Sequence, residues 1–253
     1  MLCIGLDPDI KRIPDKIRSE QHPIFTFNKA IIEATQDLTC CYKPQIAHYA
    51  AAGAESELEM TIEFIKTLGI PVLLDAKRGD VGGTATMYAK ELFDRYGADA
   101  VTINPYLGLD SMTPYLDHAD KGVFILCRTS NPGGGELQNL TLENGSRLFE
   151  HVAQEACTTW NYNGNVGLVV GATRPNELQR IREIVGKTTL LLPGVGSQGA
   201  DVSQMMSAGA GGGMLVSASR SIIFASEGQD FANAAREAAL ATRDEINQYR
   251  QAA

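Results

Sequence analysis

Two acids and two lysines stand at the ends of two neighbouring apolar segments. Asp75, Lys77 and Asp80 close the segment PVLLDA, and Lys43 lies within the preceding one, CCYKPQI. Residues two apart on a strand share a face, so Asp75 and Lys77 should point the same way. A single Asp-x-Lys is commonly a structural ion pair, because Asp and Lys are rarely buried unless paired. Four charges together are costly to desolvate, which favours a catalytic array that includes a positioned proton donor.

A second group of residues has the composition of a phosphate site. The Gly-rich segment PGVGSQGAD includes Gln198, and the later segment SASRS contains Arg220. Glycines alone commonly mark tight turns. A Gly-rich turn beside an arginine, however, offers backbone N–H donors together with a guanidinium, which suits a phosphate. The sequence therefore predicts that a phosphorylated molecule binds near these two segments.

These residues follow apolar runs that recur along the whole chain. Eight runs are present, at 2–6, 40–46, 71–76, 100–105, 122–127, 165–171, 189–194 and 212–218. Their continuous hydrophobicity is typical of strands buried on both faces, as in a parallel sheet covered by helices. The segments between them show helical spacing of apolar residues, as in Leu178, Ile181 and Val185. Gly69 and Gly186 follow two of these segments, where a left-handed helix cap costs glycine little.

The alternation of strands and helices predicts an α/β fold, a single (β/α)8 TIM barrel that spans residues 1–253 as one domain. A doubly wound sheet is the alternative, but it usually has fewer strands in this length. Barrel active sites lie at the carboxyl ends of the strands, so the polar residues that end each run become candidates. Asp7, Asn104 and Ser130 end three further runs in this way. The Gly-rich stretch 130–145 is predicted to be one long loop.

Composition limits the classes of function. The chain has 22 Lys and Arg against 30 Asp and Glu, a net charge of -8, which argues against sequence-independent binding of nucleic acid polymers. The start MLCIGLDPD is unlike a signal peptide, and no apolar run is long enough to span a membrane, so we expect a cytoplasmic protein without membrane contact. The 5 cysteines lack CxxC spacing and are expected to be reduced.

A metal site is not expected. The four histidines, His22, His48, His118 and His151, are scattered and form no HxxxH or HExxH motif. Lys43 beside the acids would supply the positive charge of a divalent ion and would repel that ion. The residues thus argue against a bound metal ion.

At these residues the chain resembles a known family. The segment 75–80, followed by Thr84, is similar to the Asp-x-Lys-x-x-Asp signature of orotidine 5'-monophosphate decarboxylases. LCIGLDPD, YKPQ, TINPYLG, CRTSNPG, PGVGSQG and SASR also resemble motifs of that family, particularly of a longer-loop bacterial subgroup. Val81 departs from the pattern, since an Ile often stands beside the second Asp. The resemblance implies conversion of orotidine 5'-monophosphate to uridine 5'-monophosphate and CO2 in de novo pyrimidine biosynthesis, without metal or organic cofactor.

The resemblance also implies roles for the charged residues. Lys77 would donate a proton to C6 of the pyrimidine, and Asp75 would lie against the substrate carboxylate. Lys43 would hold the array and touch the ribose, which Asp7 would also bind. Asp80, together with the Thr84 that follows it, would act across the interface of a homodimer with shared active sites.

The remaining roles concern the rest of the nucleotide. Ser130 would contact the edge of the pyrimidine, while Gln198 and Arg220 would bind the phosphate. Asn104 is placed at the barrel mouth without a particular substrate atom.

Two other functions stay open at this point. A 3-keto-gulonate-phosphate decarboxylase or hexulose-phosphate synthase would share the barrel and the Asp-x-Lys-x-x-Asp signature but use Mg2+. Those enzymes resemble this chain less at the second strand, where they have an acid and this chain has Lys43. A non-catalytic sensor of phosphorylated metabolites would keep the barrel and the phosphate site, but it would have no use for a proton donor.

Overall fold

The structure is a computed structural model that describes residues 1–194 and 201–250. Gln198 lies outside the described residues. Eight strands are found among them, each overlapping one of the predicted apolar runs: β1 (Leu2–Leu6), β2 (Cys41–Pro44), β3 (Leu73–Arg78), β4 (Ala100–Ile103), β5 (Gly122–Arg128), β6 (Val166–Val170), β7 (Leu190–Pro193) and β8 (Met214–Ala218). β3 and β5 extend past the predicted ends by two residues and one residue.

The strands form one parallel sheet that curls into a barrel. Their order is β2-β1-β8-β7-β6-β5-β4-β3, and every pair of neighbours in that order is parallel. The two outer strands meet through parallel bridges between Tyr42 and Val72 and between Gln45 and Asp75. The predicted (β/α)8 barrel is confirmed.

Helices connect successive strands. They are α1 (Asp15–Arg18), α2 (Pro23–Thr35), α3 (Ile46–Ala51), α4 (Glu55–Thr67), α5 (Gly82–Lys90), α6 (Leu109–Leu116), α7 (Gly134–Gln138), α8 (Leu148–Cys157), α9 (Pro175–Val185), α10 (Val202–Ala208), α11 (Arg220–Ile223) and α12 (Phe231–Arg250). A π-helical turn, Glu91–Arg95, continues α5. No helix in the two described stretches is both long and apolar enough to cross a membrane.

The helical patterns in the sequence mark the buried faces. Leu178, Ile181 and Val185 of α9 are buried against the barrel. Gly69 and Gly186 follow α4 and α9 with φ of +69° and +55°, as predicted for glycines at helix ends. The long-loop prediction for 130–145 is wrong in one respect, because this stretch contains the short helix α7.

The barrel interior has an apolar layer below a polar one. Leu73, Phe124, Val169 and Leu191 pack together as a cluster separate from the core beneath the helices. Strand side chains alternate between faces, so the residue two positions after Leu73 on β3 also faces the interior. That residue is Asp75, which brings a carboxylate to the upper layer.

Candidate active site

Lys43, Asp75 and Lys77 meet at the carboxyl ends of β2 and β3. The Asp75 carboxylate accepts a hydrogen bond at Oδ2 from Lys43 Nζ at 2.9 Å and another at Oδ1 from Lys77 Nζ at 2.6 Å. Lys43 and Asp75 are buried, whereas 42% of the Lys77 side chain is exposed. The structure therefore confirms that these three residues come together, with Lys77 open to the barrel mouth.

β3 is irregular at the point where Lys77 contacts Asp75. Leu74 pairs with Val101 and Arg78 with Ile103, so four steps along β3 correspond to two along β4. Lys77 has φ of +48° and is the only non-glycine residue with positive φ among those described. Such a backbone costs roughly 1–3 kcal/mol and persists only where its surroundings hold it. The predicted contact is correct, but Lys77 makes it from a bulged backbone and not from a regular strand.

Thr102 on β4 supports the bulge from the neighbouring strand. Its side chain is fully buried. The backbone N–H groups of Ala76 and Lys77 both donate to Thr102 Oγ1 at 3.0 Å, and the hydroxyl donates to Asp75 Oδ1 at 2.8 Å. Sequence analysis missed this residue. The available signal was a hydroxyl two positions before Asn104, on the same face of an otherwise apolar strand.

The two ammonium groups keep the central carboxylate ionised. Burial raises the pKa of Asp75, but Lys43 and Lys77 lower it by more, so this pKa lies well below its usual range. Burial lowers the pKa of Lys43, whereas the charges of Asp75 and Asp7 raise it, and the net shift is upward. At neutral pH, Lys43 and Asp75 therefore form a buried charged pair.

Asp7 lies beyond the end of β1 with an unused acceptor. Its Oδ1 atom is buried and has no hydrogen-bond partner among the described residues. A buried carboxylate oxygen without a donor is costly, and a ligand hydroxyl would satisfy it. Gly5 precedes it on the same strand face, and a Cβ there would lie 2.6 Å from Cβ of Ser219. Glycine at position 5 thus allows the ends of β1 and β8 to approach closely beside Asp7.

Asp80 lies in the loop between β3 and α5, and Thr84 lies at the start of α5. Asp80 Oδ1 accepts a hydrogen bond from the backbone N–H of Val81 at 2.8 Å, ahead of α5. No ion pair joins Asp80 to Lys77 within the described part of the chain. Thr84 is exposed on the first turn of α5. Among the described residues, three of the four expected charges, Lys43, Asp75 and Lys77, are in direct contact.

Ser130 follows β5 at a position fixed by a polar network. Buried Arg128 forms an ion pair with Glu177 at 2.8 Å and donates to Oε1 of Gln138 at 2.9 Å. The same oxygen accepts the N–H of Thr129 at 3.0 Å. Gln138 ends α7, so the Gly-rich stretch anchors the backbone immediately before Ser130. Sequence analysis did not single out Gln138, because a lone glutamine in a loop gives no specific signal.

The other candidates lie around the mouth. Arg220 is exposed and begins α11 immediately after β8. Asn104 follows β4, and its Oδ1 accepts a hydrogen bond from the backbone N–H of Tyr106 at 3.0 Å, which stabilises the turn there. Within residues 1–194 and 201–250, no group of three or more His, Cys, Asp or Glu side chains is arranged to hold a metal ion.

Comparison with known proteins agrees with this geometry. The family model described as "Orotidine 5'-phosphate decarboxylase / HUMPS family" matches residues 1–237. The chain belongs to this family. An orotidine 5'-phosphate decarboxylase of Ralstonia pickettii is 54% identical over 255 aligned residues, covering 99% of this chain and 94% of that protein.

Solved structures of the family superpose on the barrel. An OMP decarboxylase of Leishmania donovani has a TM-score of 0.85 at 39% identity, covering 100% of this chain and 94% of its own. A UMP synthase of the same organism has a TM-score of 0.87 at 39% identity, covering 98% of this chain. The match covers 53% of the UMP synthase, so the present chain spans about half of that longer protein.

The buried carboxylate of this family member should leave a signature in its stability. We predict that Asp75→Asn lowers the free energy of unfolding at pH 7 by about 3–5 kcal/mol, because it leaves a buried ammonium without its counterion. The pKa of Asp75 is depressed in the folded state, so its contribution is present above the unfolded pKa and is lost as pH falls towards the folded one. The difference in free energy of unfolding between wild type and variant should therefore become smaller below about pH 4. Denaturant unfolding at several pH values measures this free energy for both proteins.

Asp37→Asn is the matched control. Asp37 accepts two hydrogen bonds from Arg236 at 2.6 and 2.8 Å. These bonds are the main reason why the pKa of Asp37 is lowered to about 2. Unlike Asp75, however, this pair is exposed to solvent. Solvent screens such pairs, so this variant should lose much less stability than Asp75→Asn. Equal losses of stability in the two variants would show that burying Asp75 between two lysines does not increase its contribution to stability.

Proposed function

We propose that this chain converts orotidine 5'-monophosphate to uridine 5'-monophosphate and CO2. The observation that carries the proposal is the Lys43–Asp75–Lys77 array, in which one ammonium is buried and the other is open to the barrel mouth. Family membership and the names of the similar proteins support the same reaction.

Lys77 is the residue that completes the reaction. Loss of CO2 from C6 of the pyrimidine leaves a carbanion with no adjacent carbonyl to delocalise its charge. The Lys77 ammonium, held by Asp75, stabilises the negative charge as it develops and then transfers a proton to C6. The bond from C6 to the carboxylate breaks, its electron pair stays on C6, and the new C6–H bond takes the proton.

Asp75 acts on the substrate carboxylate through charge. Two carboxylates about 4 Å apart repel each other by about 4 kcal/mol at an effective dielectric constant of about 20. That repulsion falls as the neutral CO2 leaves. Lys43 keeps Asp75 ionised and in place, so the carboxylate cannot relieve the repulsion by taking up a proton at neutral pH.

The rest of the nucleotide provides the binding energy. Asp7, whose buried Oδ1 has no partner in the described part of the chain, accepts a ribose hydroxyl, and Ser130 contacts the pyrimidine edge. Arg220 and Gln198 bind the phosphate, which lies away from the breaking bond. Binding energy from that remote group can hold a repulsive arrangement at the reacting carbon. Because a phosphorylated substrate is retained inside the cell, a cytoplasmic location fits this role.

A magnesium-dependent reaction on a sugar phosphate is the second candidate function, because the family description also includes the HUMPS enzymes. The buried Lys43 ammonium argues against it, because it already neutralises Asp75 at 2.9 Å. A divalent ion bound there would have to displace or face that charge. We therefore propose a reaction without metal or organic cofactor.

We further propose a homodimer in which Asp80 and Thr84 enter the partner's active site. Neither residue joins the Lys77 array within its own chain, yet both lie next to the mouth. Large apolar side chains are exposed around them on α5 and the loop after β4, including Met87 at 63% and Tyr106 at 76%. In a dimer with two-fold symmetry, the same patch of each subunit lies in the interface, so a single interface buries the exposed apolar side chains of both chains.

The activity itself is the first prediction of this proposal. The wild-type chain should decarboxylate orotidine 5'-monophosphate in excess chelator, whereas Lys77→Ala should show no measurable turnover with the fold intact. The variant removes both the proton donor and the positive charge. Loss of substrate absorbance measures turnover, and circular dichroism measures folding.

Lys187→Ala is the control, since Lys187 is exposed at the opposite end of the barrel, just ahead of β7. It should keep wild-type turnover. Turnover by Lys77→Ala at the wild-type rate would contradict the mechanism, and loss of wild-type turnover in chelator would contradict the metal-free reaction.

The phosphate role of Arg220 gives a second prediction. Arg220→Ala should weaken binding of uridine 5'-monophosphate by several kcal/mol, since it removes a charged hydrogen-bond donor, but should barely change the affinity for uridine. Calorimetric titration measures both. Arg180→Ala, an exposed arginine on α9, should bind both ligands as the wild type does. If Arg220→Ala weakens both ligands equally, Arg220 does not bind the phosphate.

The shared site gives a third prediction. Lys77→Ala and Asp80→Ala chains should each be inactive alone and should recover activity when mixed. A mixed dimer has one site with both residues intact and one with both defects. Free exchange should restore about a quarter of the wild-type sites, because half of the dimers are mixed and half of their sites work.

Mass spectrometry of the mixture, with one chain isotopically labelled, confirms that exchange has occurred. Exchange without recovered activity would show that Asp80 acts within its own chain.

A further inference from the structure

We propose that Thr102 is a positioning residue that sets where the Lys77 ammonium stands, an inference that rests on the proposed function. Thr102 lies on β4, and its side chain is fully buried. Its hydroxyl forms hydrogen bonds with two parts of β3, the backbone N–H groups of Ala76 and Lys77 and the carboxylate of Asp75.

The direction of the hydrogen bonds follows from counting donors. A hydroxyl has one proton to donate and two lone pairs to accept with. The N–H groups of Ala76 and Lys77, each 3.0 Å from Thr102 Oγ1, use both lone pairs. The hydroxyl proton is thereby committed to Asp75 Oδ1 at 2.8 Å. An ionised carboxylate accepts this hydrogen bond more strongly than a neutral carboxyl group does, so Thr102 favours the charged form of Asp75.

The same oxygen of Asp75 holds Lys77. Asp75 Oδ1 accepts from Thr102 Oγ1 at 2.8 Å and from Lys77 Nζ at 2.6 Å. Thr102 therefore fixes Lys77 at both ends of its side chain. At the backbone end it accepts the Lys77 N–H, and at the ammonium end it orients the carboxylate oxygen that the ammonium contacts.

The bulge makes this support necessary. Between Leu74 and Arg78 the regular pairing with β4 is interrupted, and Lys77 adopts φ of +48°. Backbone N–H groups released from a ladder need another acceptor when they are shielded from water. The Thr102 hydroxyl is that acceptor. A valine of the same shape would leave two N–H groups without it, and the bulge would be expected to relax towards regular pairing, which moves Lys77.

The test compares Thr102→Val, which removes the hydroxyl at constant shape, with Thr102→Ser, which keeps it. Thr102→Val should lower kcat by about 10- to 100-fold, the usual effect of removing a partner that orients a reacting group. Its affinity for uridine 5'-monophosphate should change little, because the phosphate and ribose contacts remain. Thr102→Ser should retain most of the wild-type kcat.

The matched control is Thr61→Val. Thr61 is fully buried on α4, and its hydroxyl donates to the carbonyl of Glu57 at 2.7 Å, away from the site. It should keep the wild-type kcat. If Thr102→Val does not fold, Thr102→Ala removes the same hydroxyl without adding a methyl group, and the same outcomes apply.

Three results would overturn the proposal: a wild-type kcat in folded Thr102→Val, an equal loss of kcat in Thr102→Ser, or a loss of nucleotide affinity as large as the loss of kcat.

Crystal structures of ligand-free wild type and Thr102→Val decide the question independently of activity. We expect Lys77 to leave its positive φ and its contact with Asp75 in the variant. An unchanged Lys77 would overturn the positioning role. Should the wild type fail to act on orotidine 5'-monophosphate, the proposed function fails, while these structures still decide the role of Thr102.

Discussion

The Asp75 carboxylate, buried between the ammonium groups of Lys43 and Lys77, is the constraint on which the site depends. Removing Asp75 would leave two ammonium groups facing each other without a counterion, and Lys43 and Asp75 lie in a place that water hardly reaches. The barrel makes the arrangement possible because it brings the carboxyl ends of β2 and β3 together at the point where the sheet closes. The three groups carry one excess positive charge, and of the two ammonium groups it is that of Lys77 that is open to the barrel mouth. The excess positive charge of the array is thus available to a substrate at Lys77.

The position of Lys77 is a matter of local backbone geometry as much as of charge. Lys77 stands in a bulge of β3 with positive φ, and Thr102 on the neighbouring strand accepts hydrogen bonds from that bulge. The long stretch after β5 has a comparable function for Ser130, since Gln138 of α7 bonds to the backbone just before it. In both places a polar side chain from a second element replaces regular backbone pairing. These contacts anchor the backbone beside the groups for which we propose reactive or binding roles.

Much of this architecture could be predicted from the sequence, because strands buried on both faces must be continuously apolar and helices beside them must be apolar on one face. Asp75, Lys77 and Lys43 were predicted because charges at the ends of apolar runs are costly and conspicuous. Thr102 was not, since threonine is common in strands and its hydroxyl has no visible partner in the sequence. The bulge was equally hidden, and so was α7, because glycines and polar residues predict a loop without showing where one helical turn forms within it. The lack of an ion pair between Asp80 and Lys77 in the described residues depends on the direction of a loop that residue spacing does not determine.

The most direct test of this account is a crystal structure of the chain with uridine 5'-monophosphate bound. The account predicts that Lys77 Nζ lies about 3–3.5 Å from C6 of the pyrimidine, the separation required for proton transfer and bond making, while its contact with Asp75 and that of Lys43 persist. A pyrimidine bound elsewhere in the barrel, or a Lys77 ammonium directed away from C6 with the nucleotide in place, would contradict it.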